Sequence, residues 1–239
     1  MKRLTAPLLL CLVAGCSDNN NSGPDPVQPP PPPPPPPANA VFEVSAVNLT
    51  IGQPLSPLAV IVHDDSFRAF TVGETASPGL ETLAEGGDNS IFLDEVEGRA
   101  EASGSAPVAP GASDTVTLEL DSDDPAGALL TVMTMLVNTN DAFTGLNAVD
   151  VSSMEVGASF TREAIAYDAG TEANNEAAGT IPGPADGGEG FNSARDDLVD
   201  RVTMHGGVVS GDDGLASSAL DQNHRFDNPV VRFTVTRTR

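Results

Sequence analysis

LLTVMTMLV, residues 129–137, is an apolar run broken only by Thr131 and Thr134. It is short, rich in residues that suit a pleated surface, and reads as a strand covered on both faces. LAVIV at 58–62 has the same character. Around these two runs the pattern becomes alternation with period two: Phe42, Val44 and Ala46; Val116, Leu118 and Leu120; Val231, Phe233 and Val235. Such runs are strands with one buried face. Two more strands are expected between Val149 and Ile165. Turn residues separate them, at Gly52-Gln53-Pro54, at Gly111-Ala112-Ser113-Asp114 and in the Gly/Asp clusters after Thr180. There is no alternating βα pattern and no repeat of fixed length, so the expected fold is all-β, an antiparallel β-sandwich. One or two short helices are expected, of which one can be placed, with Ser77 as N-cap, Pro78 at its first position, Leu80, Leu83 and Ala84 inward, and a stop at Gly86-Gly87. A functional site is expected in the loops at one end of the sandwich.

The N-terminus reads as an address. Met1-Lys2-Arg3 is basic, Leu8 to Val13 is apolar, and Leu12-Val13-Ala14-Gly15-Cys16 fits a lipoprotein processing box. The apolar run is far shorter than the roughly 20 residues of a spanning helix. Residues 1–15 are therefore expected to be removed, leaving Cys16 to carry lipid. Two or more acyl chains hold a protein stably at a bilayer. Cys11 lies in the discarded segment, so the folded part has no thiol for a disulfide, a metal or a nucleophile. Residues 16–40 form a stalk that includes an unbroken run from Pro29 to Pro37, a polyproline II spacer of roughly 28 Å. Residues 41–239 are expected to form one domain with a single core. Ser17 after Cys16 favours the outer membrane or cell surface over the inner membrane.

Charge narrows the partners. The formal net charge is −23, with 34 acidic residues against 11 basic ones. Such a surface repels nucleic acid and anionic headgroups and attracts cations. Lys2 is the only lysine, which removes lysine nucleophiles and Schiff bases from the domain. A solubility or salt adaptation accounts for much of this acidity, so individual spacings matter more than the total.

Two segments stand out, TNDAFTGL at 139–146 and AYDAGTE at 166–172. They place Asp141, Asp168 and Glu172 at turns beside strands. Asp168 and Glu172 are four apart with Gly170 between them, and glycine lets the backbone reverse so that both acids face one point. Calcium takes six to eight oxygens from carboxylates, carbonyls and water. Three carboxylates brought together repel one another unless a cation sits among them. The same segments are also ordinary turn sequences.

The chain resembles a family at this point: the spondin N-terminal domain of F-spondin and mindin, in the form found in bacterial secreted proteins and lipoproteins. The resemblance rests on five blocks in order: VSAVNLTIGQPLSPLAVIVHD (44–64), VGETASPGLETLAEGGD (72–88), TNDAFTGL, AYDAGTEANNE with IPGP (166–184), and RFDNPVVRFTV (225–235). It implies a β-sandwich related to calcium-dependent membrane-binding sandwiches, and a calcium ion held by Asp141, Asp168 and Glu172 with carbonyls or water. Glu172 stands where that pattern has Asp, one methylene longer. Tyr167 stands where animal members commonly have Trp, and no cysteine matches their disulfides.

Other motifs fail. Gly187 to Asn192 approximates one unit of a glycine-rich calcium roll, which requires several stacked units. Asp121-Ser122-Asp123-Asp124 has Ala126 and Val132 where an EF-hand needs Gly and Glu. His63, His205 and His224 lie far apart, and neither GxSxG nor HExxH is present. His63 beside Asp64 reads as a structural, hydrogen-bonded histidine. Carboxylate pairs of glycosidase type remain open in so acidic a chain, but Tyr167 is the only tyrosine and there is no Trp to stack sugars. The expected function is non-enzymatic: a surface-anchored adhesion module that binds an extracellular protein or glycan when calcium orders its loops. The competing readings are a structural envelope lipoprotein with no functional metal, and a glycan- or ester-acting hydrolase.

Overall fold

A computed structural model describes residues 39–197 and 199–239. Cys16, the processing box and the proline run lie outside the described residues. In chain order the elements are β1 (Val41–Asn48), β2 (Ala59–His63), α1 (Pro78–Gly86), α2 (Ser90–Asp94), β3 (Ala100–Ser103), β4 (Ser113–Glu119), β5 (Leu129–Met135), β6 (Ala142–Asp150), β7 (Ser159–Ala164), β8 (Ala166–Asp168), β9 (Thr203–Met204) and β10 (Val231–Arg237). Short 3₁₀ turns at Gly211–Asp213 and Gln222–His224 precede β10.

The strands form two antiparallel sheets, β4-β1-β10-β7 and β3-β2-β5-β6-β8-β9. Alternation explains the first. Phe42, Val44 and Ala46 of β1, Val116 and Leu118 of β4, and Phe233 and Val235 of β10 point inward and share one buried core with Val60, Val62, Leu130, Val132 and Leu146 of the second sheet. Their neighbours Glu43, Thr117 and Arg232 are exposed. Each large side chain fully buried there contributes about 1.5–3 kcal/mol. The two sheets thus pack face to face.

The continuous apolar runs have a different cause. Ile61, Met133 and Met135 point away from that core into a second one, with Leu80, Leu83 and Ala84 of α1, Phe92 of α2, Phe143 and Val202. The middle of the six-stranded sheet is covered on one side by the other sheet and on the other by helices. α1 begins and ends as its sequence dictates: Ser77 Oγ accepts from the Leu80 amide at 3.1 Å, and Gly87 is left-handed at φ 70°, its N–H donating to Leu83 O. α2 is the second of the one or two short helices expected, though its position had no sequence signal. Five residues long, it is fixed by burial of Phe92 rather than by a cap from Asn89. Between Val149 and Ile165, where two strands were expected, the structure has one, β7, beyond the last two residues of β6.

Register puts the candidate residues at one end of the six-stranded sheet. Ala142 of β6 pairs with Asp168 of β8, so Asp141, just before β6, and the turn just after β8 meet at the same end of the sheet. The Ala169 amide donates to Asp141 O at 3.2 Å. Among the described residues, no helix is long and apolar enough to cross a membrane.

Candidate functional site

Asp141 is fully buried. Its Oδ2 accepts from the amides of Thr171 at 2.8 Å and Glu172 at 3.1 Å and from the Thr171 hydroxyl at 3.3 Å. One carboxylate oxygen thereby holds the whole turn after β8. Its Oδ1 is also buried and has no hydrogen-bond partner among the described residues. Burial, then the negative charge of Asp168, pushes the Asp141 carboxyl up to about 7.

Gly170 makes the turn possible. Its φ is +71°, and a Cβ there would lie 2.3 Å from Arg201 O. The reversal anticipated from the sequence is therefore present, with the added requirement that another backbone segment passes close by. Asp168 Oδ1 closes the turn by accepting from the Gly170 amide at 2.8 Å. Asp168 Oδ2 accepts from Asn174 Nδ2, and Asn174 Oδ1 is 3.2 Å from His205 Nε2. His205 Nδ1 accepts from the Gly207 amide at 2.9 Å. That bond assigns the ring proton to Nε2, so the imidazole is neutral and donates to Asn174. Burial keeps His205 below its usual range, in agreement with that tautomer.

Glu172 is half-buried. Burial first, then the charges of Glu85, Asp141, Asp196 and Glu189, pushes its carboxyl up to about 8. Asp141 thus feels the charge of Asp168, and Glu172 feels those of Asp141 and of Glu85, an acid that sequence reasoning missed. Glu85, in the last turn of α1, is fully buried. Its Oε2 accepts from the Asn192 amide at 2.9 Å, while Oε1 is buried without a partner; burial raises this carboxyl too. Its only sequence signal was its place, four residues after Glu81 on the same helix. Asn174 and His205 were missed as well, because an amide–histidine relay leaves no spacing pattern.

The donor set consists of hard oxygens, which suits calcium rather than a softer metal. The buried oxygens without partners, Asp141 Oδ1 and Glu85 Oε1, fit a cation or a proton, since an unsatisfied buried carboxylate is costly. Among the described residues, however, no group of three or more His, Cys, Asp and Glu side chains is arranged as a ready cage. The acids are neighbours whose oxygens are partly spent on the turn's own amides.

The remaining sequence motifs fall elsewhere. His63 is buried, with Nδ1 2.6 Å from Asp64 O and Nε2 2.8 Å from Thr131 Oγ1, a structural histidine at the end of β2. Gly187 to Asn192 is a loop. Asp124 Oδ1 is occupied by the Ala126 amide at 2.9 Å, in a local turn.

The family model Spondin_N matches residues 50–178, from just after β1 to just beyond the acidic turn. Among curated proteins, none matches the chain significantly. The match takes in α1 and both acidic segments, while β1 and β10, which pair in the middle of the four-stranded sheet, lie outside it. On that match, covering over half of its length, the chain belongs to the spondin N-terminal family, a family of extracellular adhesion-type domains.

Proposed function

We propose that the domain is a calcium-dependent, non-enzymatic adhesion module, tethered through lipid on Cys16 and displayed on its proline stalk at the outer membrane or cell surface. The observation that carries the reading is the unpartnered, buried Oδ1 of Asp141 beside Asp168 and Glu172. Bound calcium supplies the positive charge and oxygen-coordination positions that this acidic group lacks. Asp141, Asp168 and Glu172 would hold it, with carbonyls or water filling the remaining positions. Asp141 Oδ2 keeps the turn folded through its three donors, so Oδ1 is the atom left for the ion. Asn174 and His205 fix the rotation of Asp168, as outer partners of a metal ligand do. The ordered turn after β8 then presents its surface to an extracellular protein or glycan. Nucleic acid is disfavoured as a partner by the charge of −23.

A second reading has one observation behind it. Protons on Asp141 and Glu172, whose carboxyls sit at about 7 and about 8, relieve the same repulsion without metal, leaving a structural envelope lipoprotein. Cells displaying the wild-type chain or Asp168→Asn separate the two. Attachment to immobilised matrix proteins and glycans should require calcium and fall in the variant. Attachment that is equal for both chains, with and without chelator, rejects the calcium-dependent reading.

A further inference from the structure

A cavity of about 540 Å³ is lined by Leu49 and Ile51 from the loop after β1 and by Gln222, Arg225, Phe226 and Asp227 from the segment leading into β10. Its volume falls within the roughly 300–1,000 Å³ of small-molecule sites. The two walls are fastened to each other. Gln53 Nε2 donates to His224 O at 2.7 Å, and Gly52 lies so close to the opposite segment that a Cβ there would stand 2.2 Å from Asn223 O. Thr50 is buried, its hydroxyl 2.8 Å from both Asn48 Oδ1 and Gln53 O. Phe226 is backed by the His205 ring, with centroids 5.4 Å apart. The cavity is thus preformed, which lowers the ordering cost of binding.

The lining joins apolar surface to polar groups with hydrogen-bonding capacity unspent. Ile51 is 80% exposed, and Leu49 and Phe226 are half-buried. Among the described residues, the Gln222 side chain makes no hydrogen bond. Arg225 uses one donor, from Nη1 to Asp213 Oδ1 at 3.0 Å, and Asp227 uses one oxygen, Oδ1 accepting from the Asn228 amide at 2.8 Å. What remains is a donor set on Arg225, an acceptor on Asp227 and both on Gln222. Hydroxyl groups donate and accept, so a polyol satisfies all three. Charge excludes the alternatives. Asp212 and Asp213 hold Gln222 and Arg225 from behind, and Asp221 and Asp227 flank them, an acidic excess that repels an anion; a guanidinium in the lining repels a cation.

We propose that this cavity binds a neutral sugar of an extracellular glycan. Arg225 and Gln222 donate to its hydroxyls, Asp227 accepts from them, and Phe226 and Ile51 take the C–H face of the ring. The inference rests on the adhesion reading for its setting and fixes the partner as glycan. It shares no residue with the acidic turn and needs no calcium.

The test titrates the full chain with maltotriose, mannotriose and chitotriose, and with trigalacturonate as the acidic control, following backbone amide shifts by NMR. At least one neutral sugar should bind with a Kd of about 1 mM or tighter, shift the amides of residues 49–51 and 225–227, leave those of 168–172 in place, and bind equally in calcium and in chelator. Arg225→Gln should weaken it about tenfold or more and Ile51→Ser about threefold or more, both with wild-type melting. No neutral sugar bound at about 10 mM, tighter binding of trigalacturonate, shifts confined to other residues, binding lost in chelator, or wild-type affinity in both variants overturns the assignment. Sugar binding by a chain that binds no calcium removes the calcium reading and leaves this one; calcium binding without sugar binding does the reverse. Should Arg225→Gln fail to fold, Gln222→Ala reads the same loss from a side chain that the fold does not use.

Discussion

Replacing Asp141 by Asn should make the calcium-free protein more stable and the protein as a whole indifferent to calcium. Asn has the same shape, and its Oδ1 can accept from the Thr171 and Glu172 amides as Asp141 Oδ2 does. Its Nδ2 then occupies the place of the unpartnered oxygen and points a donor into an acidic neighbourhood. The sign follows from linkage. A carboxyl raised in the folded state adds its full stability below its unfolded value and loses it as pH rises through the folded one. For Asp141 that window runs from 3.8 to about 7. At about 1.36 kcal/mol per unit, the raised carboxyl costs on the order of 2 kcal/mol at pH 5 and on the order of 4 kcal/mol at pH 8. These are ceilings, because Asp168 shares in the repulsion. A domain of this size gains about 2–4 °C in Tm per kcal/mol, so Asp141→Asn should melt several degrees above the wild type in chelator at pH 8 and only slightly above it at pH 5. With 10 mM calcium and a Kd of about 10⁻⁴ to 10⁻³ M, the wild type should gain about 1.4–2.7 kcal/mol and the variant nothing. Calorimetric melts at both pH values, with calcium or chelator, read all of this. A variant that melts lower than the wild type in chelator at pH 8, or that gains as much from calcium, refutes the reasoning.

Other outcomes follow from the same structure. Gly170→Ala should cost about 2 kcal/mol or more in chemical denaturation, since it combines a positive φ with a Cβ against Arg201 O; an unchanged midpoint would contradict the close approach. Glu176 is buried, with Oε1 accepting from the Val209 amide and Oε2 unpartnered, and burial raises its carboxyl. Glu176→Gln should therefore stabilise by about 1–3 kcal/mol in alkaline buffer and progressively less as pH falls toward the ordinary glutamate value, measured by urea unfolding across that range. Leu83→Ala should cost about 2–5 kcal/mol, because α1 seals the second core; a smaller loss would mean that the helices contribute little to the fold. Ser77→Ala should cost about 1 kcal/mol through its cap on Leu80.

Much of the fold could be read from the chain because single rules acted alone. Strict alternation in β1, β4 and β10 reports one buried face, and the unbroken runs in β2 and β5 report two. The Ser77-Pro78 start and Gly86-Gly87 stop bound α1 within a residue. What the sequence could not supply was the identity of the second cover. The outer face of the six-stranded sheet is sealed by α1 and α2, and α2 owes its existence to the tertiary burial of Phe92, which has no local signature. The site divides in the same way. Asp168, Gly170 and Glu172 belong to one turn, so spacing exposed them. Glu85 lies in a helix far away in sequence and His205 acts through Asn174, so their relation to the acidic turn exists only in three dimensions. The spent oxygens of Asp141 and Asp168 were equally invisible, and they are why the acids lie together without forming a ready cage.

The most direct measurement titrates calcium into the chelator-treated chain in a calorimeter at neutral pH. The account predicts one ion per chain with a Kd of about 10⁻³ M or tighter, accompanied by release of protons from the crowded carboxyls and a higher melting temperature. No heat of binding and an unchanged melt at 10 mM calcium would contradict it.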